Sequence, residues 1–193
     1  MAYEDEKIIK AMNDYKKGTY GSLKEGFFIR EELVEFEKEW LFDHKMQIML
    51  PVSFSDMSME LAKLKYPMEQ RPQVIKTNEE TDINFTFSLL DQPLANEQVK
   101  QVRDSLKKIM KRVRPDMRFM EEGLEETGER MIGWFELTYN GLDEKLYNIM
   151  YFTPVDGKMM HGIFNCSIRE AENWKPVVFQ LMKTIQEGDV NEG

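Results

Sequence analysis

The chain has 193 residues, of which 26 are basic and 35 acidic, so its formal net charge is −9. This length is typical of one domain with one hydrophobic core. An acidic surface repels phosphate groups, so we expect neither a nucleic-acid nor a membrane partner. Cys166 is the only cysteine, which excludes an intrachain disulfide, and the first residues lack the basic and apolar segments of a signal peptide. A cytoplasmic location is therefore expected.

The residues before position 35 predict an appendage rather than part of the core. Glu4 to Lys16 has apolar residues along one side of a short helix, and the chain-breaking stretch Gly18 to Ser22 follows it. We expect residues 1–34 to be a helical or flexible appendage, residues 35–187 to form the folded domain, and residues 188–193 to be a disordered tail.

The next part of the chain predicts two hairpins and a short helix. The pattern from Glu31 to Trp40 fits a helix and a strand equally well. Ser58 is placed to cap a helix that ends before Pro67, because the residue preceding a proline disfavours the helical conformation. The predicted elements are a hairpin over Leu41 to Pro51, a helix over Met59 to Lys65, and a second hairpin of Val74 to Thr77 with Ile83 to Leu89.

The second half predicts a long helix, a strand meander and a final helix. A short strand after the long helix leads into an acidic turn at residues 121–126. The predicted elements are the helix Asn96 to Arg112, the strands Met117 to Met120, Met131 to Tyr139, Glu144 to Thr153 and Lys158 to Ile168, and the helix Trp174 to Ile185. Because each long helix has one apolar side, we predict an α+β fold in which a single antiparallel sheet packs with two long helices.

This order of elements resembles the Mog/PsbP-like superfamily. The segments that carry the resemblance are Met46 to Phe54, Arg71 to Phe87 and Gly162 to Ile185, within residues 40–187. Members include a nuclear partner of the Ran GTPase, a photosystem extrinsic subunit, bacterial envelope lipoproteins and secretion-associated chaperones. The resemblance implies a binding scaffold rather than an enzyme. Because the sequence shows no lipobox, signal or transit peptide, its nearest likeness is to the cytosolic bacterial members.

The sequence offers no constellation typical of catalysis or metal binding. Cys166 and His161 are an odd number of positions apart in one predicted strand, so they point to opposite faces and cannot form a dyad. Two histidines and one cysteine lack the spacing of a zinc site, and the dispersed glycines form no phosphate-binding loop. A catalytic role for Asp143, Glu144 and Asp156 is supported only by residue types that are common in every protein. We therefore predict no catalytic residue, no metal and no cofactor.

The long helix carries the strongest local charge in the sequence. Between Asn96 and Arg114 it has seven basic residues against two acidic ones. One interpretation is a docking face for an acidic partner. The alternative is a solvated helix face whose cations are favoured near the helix C-terminus by the helix dipole. The residues assigned to the docking face are Lys100, Arg103, Lys107 and Lys111.

Aromatic residues of the predicted meander share one face of the sheet. Alternation along the strands places Trp134 on the same side as Tyr147 and Tyr151, and we predict that these three form an exposed patch that binds a partner. The alternative is that helices or the N-terminal segment cover this face. If the patch is exposed, replacing Trp134 and Tyr151 by alanine abolishes partner binding without unfolding the protein.

The sequence as a whole predicts a non-catalytic cytosolic binding or adaptor scaffold with an unidentified protein partner. A homodimer is one oligomeric state that the sequence allows. The alternative from another class is a small-molecule or lipid-binding protein, whose pocket lies between the sheet and the helices and is lined by Met and Phe.

Overall fold

A computed structural model describes residues 21–188 of the chain. The strands are β1 (Gly21–Ser22), β2 (Gly26–Ile29), β3 (Glu32–Val34), β4 (Phe36–Leu41), β5 (Met46–Pro51), β6 (Ser55–Asp56), β7 (Val74–Thr77), β8 (Asn84–Pro93), β9 (Arg118–Thr127), β10 (Arg130–Asn140), β11 (Lys145–Val155), β12 (Lys158–Ser167) and β13 (Gln186–Glu187). The α-helices are α1 (Met59–Lys65), α2 (Val99–Val113) and α3 (Ala171–Met182), and single 3-10 turns at Asn96–Gln98 and Ile168–Glu170 precede α2 and α3.

These strands form three antiparallel sheets, where the sequence predicted one. The main sheet has seven strands in the order β6-β7-β8-β12-β11-β10-β9. Two small sheets have three strands each, in the orders β1-β2-β3 and β13-β5-β4. The α+β class is confirmed. The single sheet was wrong because β4 and β5 pair with each other and with the C-terminal β13 instead of joining the main sheet.

Local sequence explains where several elements begin and turn. The hydroxyl of Ser58 accepts a hydrogen bond from the backbone N–H of Leu61 at 3.3 Å, which caps the start of α1 as predicted. The tight turn between β11 and β12 places Asp156 and Gly157 in the left-handed region, at φ values of 53° and 68°. An Asp-Gly pair favours this conformation, so the turn sets the register of the two strands.

The two faces of the main sheet are covered by different elements. On one face, α3 and the small sheet of β4, β5 and β13 cover a large core that includes Phe85, Phe164 and Trp174. On the other face, α2 packs over β10 and β11, and α1 packs separately over Ile75 of β7. The helices therefore lie on both sides of the sheet, which buries each apolar stripe against a strand surface.

The structure includes part of the predicted appendage in the folded unit. Phe27 and Ile29 of β2 are buried in the core beneath α3, and the Phe27 ring contacts the ring of Phe36 edge-on at 5.9 Å. Residues 21–34 are therefore part of the folded unit rather than an appendage. The helix predicted for Glu4 to Lys16 and the tail predicted from residue 189 onward lie outside the described residues.

The predicted acidic turn is also wrong, because residues 118–127 form the ten-residue strand β9 at the edge of the main sheet. Its glutamates alternate between the two faces and reach lysines on both helices. Lys175 of α3 and Lys183, the residue that follows α3, each approach a β9 glutamate at 3.0 Å, and Lys107 of α2 pairs with Glu122 on the other face. The acidic run is thus held in a strand by ion pairs from above and below.

No helix within residues 21–188 is long and apolar enough to cross a membrane.

Gly162 of β12 makes room for the ring of a neighbouring aromatic residue. It lies directly opposite Tyr151 of β11, and a Cβ atom on Gly162 would overlap the Tyr151 ring. The ring of Tyr151 therefore occupies the space that a side chain at position 162 would take, and the phenol is buried within the core. A glycine is required here for space rather than for backbone conformation.

We expect Gly162→Ala to lower the free energy of unfolding by about 1–3 kcal/mol, because the added methyl group displaces the Tyr151 ring in a packed core. Chemical denaturation of the purified protein measures this loss. In a Gly162→Ala/Tyr151→Leu double variant the two losses should be less than additive, since the smaller side chain leaves room for the methyl group. Full additivity would show that the two residues are not coupled.

Candidate functional site

Two of the cations predicted to dock a partner form ion pairs within the protein itself. The guanidinium of Arg103 is buried, donates to the carbonyl oxygen of Gly123 at 2.9 Å, and pairs with Asp104 at 2.6 Å. Lys100 reaches the same Asp104 carboxylate at 3.1 Å. These contacts depress the pKa of Asp104, with the hydrogen bond from Arg103 as the largest cause. Arg103 therefore fastens α2 to β9 and is not available to a partner.

Two further predicted cations lie against an aromatic ring of the edge strand. Lys107 pairs with Glu122, and its ammonium lies 5.7 Å from the ring centre of Phe119. The ammonium of Lys111 lies 5.3 Å from the same ring. Cations over a ring face are attracted by the negative charge of its π system. Lys111 is exposed and stays accessible, whereas Lys107 is half-buried.

The exposed side of α2 combines free charge with apolar surface. Lys108 and Arg112 are exposed and have no ion-pair or hydrogen-bond partner among residues 21–188. Beside them, Ile109 and Val113 are 53% and 69% exposed. The four residues lie one turn apart in two adjacent rows on the helix, and we call them the outer stripe of α2. Neither the unpaired lysine nor the unpaired arginine was among the residues predicted to bind a partner.

The predicted exposed aromatic patch is wrong. The alternation that placed Trp134, Tyr147 and Tyr151 on one face is confirmed by the strand register, but α3 covers that face. Trp134 is only 7% exposed, and its indole packs edge-on against Phe179 of α3 at 4.6 Å. Desolvation raises the pKa of both tyrosines well above the usual range. Replacing Trp134 by alanine would open a cavity in the core.

A buried carboxylate lies beneath α3 on this same face. Glu136 of β10 is 0% exposed, and its carboxylate pairs with the ammonium of Lys175 at 2.7 Å. Lys175 also reaches Glu121 of β9 at 3.0 Å, so one lysine bridges two strands. Hydrogen bonds to these two carboxylates raise the pKa of Lys175 against the opposing effect of burial, the largest contribution. The lysine is therefore a structural cation and a poor nucleophile.

Cys166 and His161 point to opposite faces of β12, as predicted. The thiol of Cys166 is free and fully buried in the core beneath α3, and desolvation raises its pKa far above the usual range. His161 stacks on Phe152 on the α2 side at 4.7 Å between ring centres. Burial lowers the pKa of His161 to about 4. The two side chains cannot act together.

The carboxylates considered for catalysis are not brought together. Glu144 accepts a hydrogen bond from Ser167 at 2.6 Å and pairs with Arg169, while Asp156, at the other end of β11, pairs with Lys45 at 2.9 Å. Within residues 21–188, no group of three His, Cys, Asp or Glu side chains is arranged to hold a metal ion.

Trp40 is an accessible aromatic residue that the sequence analysis left in an ambiguous segment. It lies on β4, the edge strand of a small sheet, and is 42% exposed. The other two tryptophans, Trp134 and Trp174, are buried. Leu41 is buried at the end of β4, and alternation along a strand then places the neighbouring Trp40 on the outward face once the segment is taken as a strand.

A seven-stranded antiparallel main sheet with helices on both faces, accompanied by two small sheets, defines an α+β architecture with known structural relatives. Neither the family models nor the curated proteins include a match to the sequence. Among solved structures, the chain is similar to the cyanobacterial PsbP protein CyanoP from Synechocystis sp. PCC 6803, with a TM-score of 0.59 at 10% identity over 88% of this chain and 99% of that one.

Two other solved structures share this architecture. LpqN from Mycobacterium tuberculosis, a protein involved in cell envelope biogenesis, has a TM-score of 0.51 at 10% identity, over 83% of this chain and 94% of that one. A protein from Bacteroides thetaiotaomicron has a TM-score of 0.50 at 12% identity, over 81% of this chain and 50% of that one. The chain therefore has the PsbP-like fold, as the resemblance in its sequence predicted.

We expect Lys175→Met to lower the free energy of unfolding by about 2–3 kcal/mol, because it leaves the buried Glu136 carboxylate without its ion pair. Urea denaturation measures the loss. Lys183→Met is the matched control, since it removes the more exposed pair with Glu125 and should cost at most about 1 kcal/mol. Equal losses in the two variants would contradict the structural role of Lys175.

We expect His161 to make stability depend on pH between about 6.5 and 4. Its folded-state pKa lies below the ordinary value of 6.5, so the unfolded chain binds the proton first and stability falls as the pH is lowered through this window. The effect of the shift amounts to about 3 kcal/mol. Denaturation curves of His161→Phe should show a correspondingly weaker pH dependence, and an unchanged pH dependence in this variant would contradict the prediction.

Proposed function

We propose that the protein is a non-catalytic binding scaffold that holds an acidic, amphipathic segment of a protein partner on the outer stripe of α2. The observation that carries this proposal is the pairing of exposed apolar side chains, Ile109 and Val113, with two cations that the rest of the described chain leaves unpaired. The scaffold-like character of the fold agrees with a binding role.

The apolar half of the stripe supports burial against a partner. Ile109 and Val113 are on the same side of the helix, one turn apart, and their exposure on a regular helix leaves apolar surface in water. Both are branched side chains with few rotamers, so a partner that covers them restricts little side-chain freedom. An amphipathic helix that presents apolar residues at the same one-turn spacing is complementary to this row.

The charged half of the stripe supports the choice of an acidic partner. The chain has a net charge of −9, so an acidic segment is repelled by most of its surface. Lys108 and Arg112 give the stripe a local positive charge, and Lys111 adds to it from the adjacent position. Attraction at one place and repulsion elsewhere would steer the segment to α2 and fix its orientation there.

The test is binding of a fluorescent helical peptide in which leucines spaced one turn apart alternate with glutamates. We expect the Lys108→Glu/Arg112→Glu variant to bind it about tenfold more weakly at low salt, since two attractive charges become repulsive. Ile109→Ser/Val113→Ser should weaken binding to a similar degree through the loss of apolar burial. Fluorescence anisotropy measures both.

The matched control is Lys24→Glu/Lys63→Glu, which makes the same change in charge at two exposed lysines on other elements. This variant should lose little affinity, and added salt should reduce even that small difference. The proposal fails if the control and the α2 variant lose affinity equally, or if a lysine-for-glutamate version of the peptide binds as tightly as the acidic one.

A further inference from the structure

A second surface, far from α2 in sequence, is built around Trp40. The indole lies on the outward face of β4 and is the accessible one of the three in the chain. Trp40 is directly opposite Gln47 of β5, and Gln47 is directly opposite Gln186 of β13. A row of one tryptophan and two glutamines therefore crosses the small sheet on a single face.

The two glutamines in this row present uncommitted hydrogen-bonding groups. Neither side-chain amide has a hydrogen-bond partner among the residues that the structure describes, and Gln186 is exposed. Each amide offers two donors and an acceptor with two lone pairs. The row is also uncharged, so the groups beside the indole favour a neutral polar ligand over an ion.

The position of the Trp40 ring is fixed by the turn that follows it. Phe42, Asp43 and His44 are all in the left-handed region, with φ between 53° and 66°. This conformation returns the His44 ring to Trp40, at 5.5 Å between ring centres. Gly188 donates its backbone N–H to the carbonyl of Lys45 at 3.0 Å, and a side chain there would collide with His44 and crowd the indole. The indole is therefore held in place rather than free.

A cleft lies at the β13 end of this row, next to Gln186. Its volume is about 430 Å³, and Gln186 is one of its lining residues together with Glu129, Arg130 and Glu187. Arg130 donates to the carbonyl of Pro154 and pairs with Glu187 at 3.2 Å, so its charge is largely satisfied. Volumes in this range accommodate small ligands. Gln186 belongs both to the lining of the cleft and to the row that begins at Trp40.

We propose that this surface binds a neutral carbohydrate, with one sugar ring stacked on Trp40 and the next unit directed toward the cleft. The apolar C–H face of a sugar ring matches the flat indole, and the hydroxyl groups at its edge match the donors and acceptors of Gln47 and Gln186. The cleft provides further polar groups for the following unit.

Tryptophan fluorescence tests this directly, because a soluble quencher such as acrylamide reaches Trp40 and is kept from the two buried indoles. The probes are maltotriose, cellotriose and tri-N-acetylchitotriose, each titrated into the full-length protein. We expect at least one of them to protect Trp40 from quenching in a saturable way with a Kd of roughly 1 mM or below. The proposal is overturned if none does so.

Substitutions then decide whether the row is responsible. Gln186→Leu, on an exposed short strand, should weaken sugar binding about tenfold, because it removes hydrogen bonds to the hydroxyls. Gln101→Leu makes the same change at an exposed position on α2 and should have no effect. Equal affinity in the two variants would overturn the assignment to this row.

Two further outcomes separate this site from other uses of the surface. The Lys108→Glu/Arg112→Glu variant should bind the sugar as the wild type does, which shows that the two sites are independent. If the acidic peptide protects Trp40 from quenching and no sugar does, the surface is a protein interface and the carbohydrate proposal is wrong.

Discussion

The rest of the structure depends on shielding from water the face of the main sheet that lies beneath α3, where large aromatic side chains are concentrated. Five large aromatic side chains lie there in contact or near contact, Phe85, Phe164, Trp134, Tyr151 and, from the helix, Trp174. Such a side chain buries 150–250 Å², which contributes about 4–6 kcal/mol for each one removed from water. Helix α3 and the small sheet of β4, β5 and β13 supply the cover. Small residues on the strands, Gly162 beneath Tyr151 and Gly123 beside Trp134, make room for the rings.

Charge fastens the edge of the same sheet. Among the described residues, strand β9 has a neighbouring strand on one side only. Lysines hold it on both faces, Lys107 of α2 on one face, and Lys175 of α3 with Lys183, the residue after α3, on the other. Part of the positive charge of α2 is therefore used within the molecule, because Arg103 and Lys107 bind β9. The outer stripe, with the two cations Lys108 and Arg112 that are unpaired within residues 21–188, is therefore a smaller and more specific candidate surface than the whole basic helix.

Local patterns in the sequence predicted most elements of the fold and placed side chains on the correct faces. The cap at Ser58, the hairpin of β7 with β8 and the meander β10-β11-β12 are all set by residues close together in the chain. Alternation assigns a side chain to one of two faces, but it does not say what covers each face. The exposed patch around Trp134 was wrong for this reason, since its cover comes from α3, which lies later in the sequence.

The same limit explains the missed strand and the missed residue. The glutamates of β9 read as a solvated turn because their lysine partners are on other elements, and the register between β9 and β10 also shifts between Phe135 and Leu137, which interrupts alternation. Trp40 was missed because its segment forms a strand only by pairing with β5. The surface around Trp40 also includes Gln186 of β13, near the end of the described chain.

The strand order also has a consequence for the way the molecule assembles. Strands β9 to β12 are neighbours in sequence and in space, so their hairpins close short loops and are expected to form early. Strand β8 instead pairs with β12, with Phe87 opposite Gly162, and β5 pairs with β13. During synthesis these N-terminal strands emerge first, and β5 and β8 can pair only with their preceding neighbours, β4 and β7, until the last strands follow. The apolar side chains of β5 and β8 are then exposed on the nascent chain, and this interval is when the protein is most open to aggregation or to a chaperone.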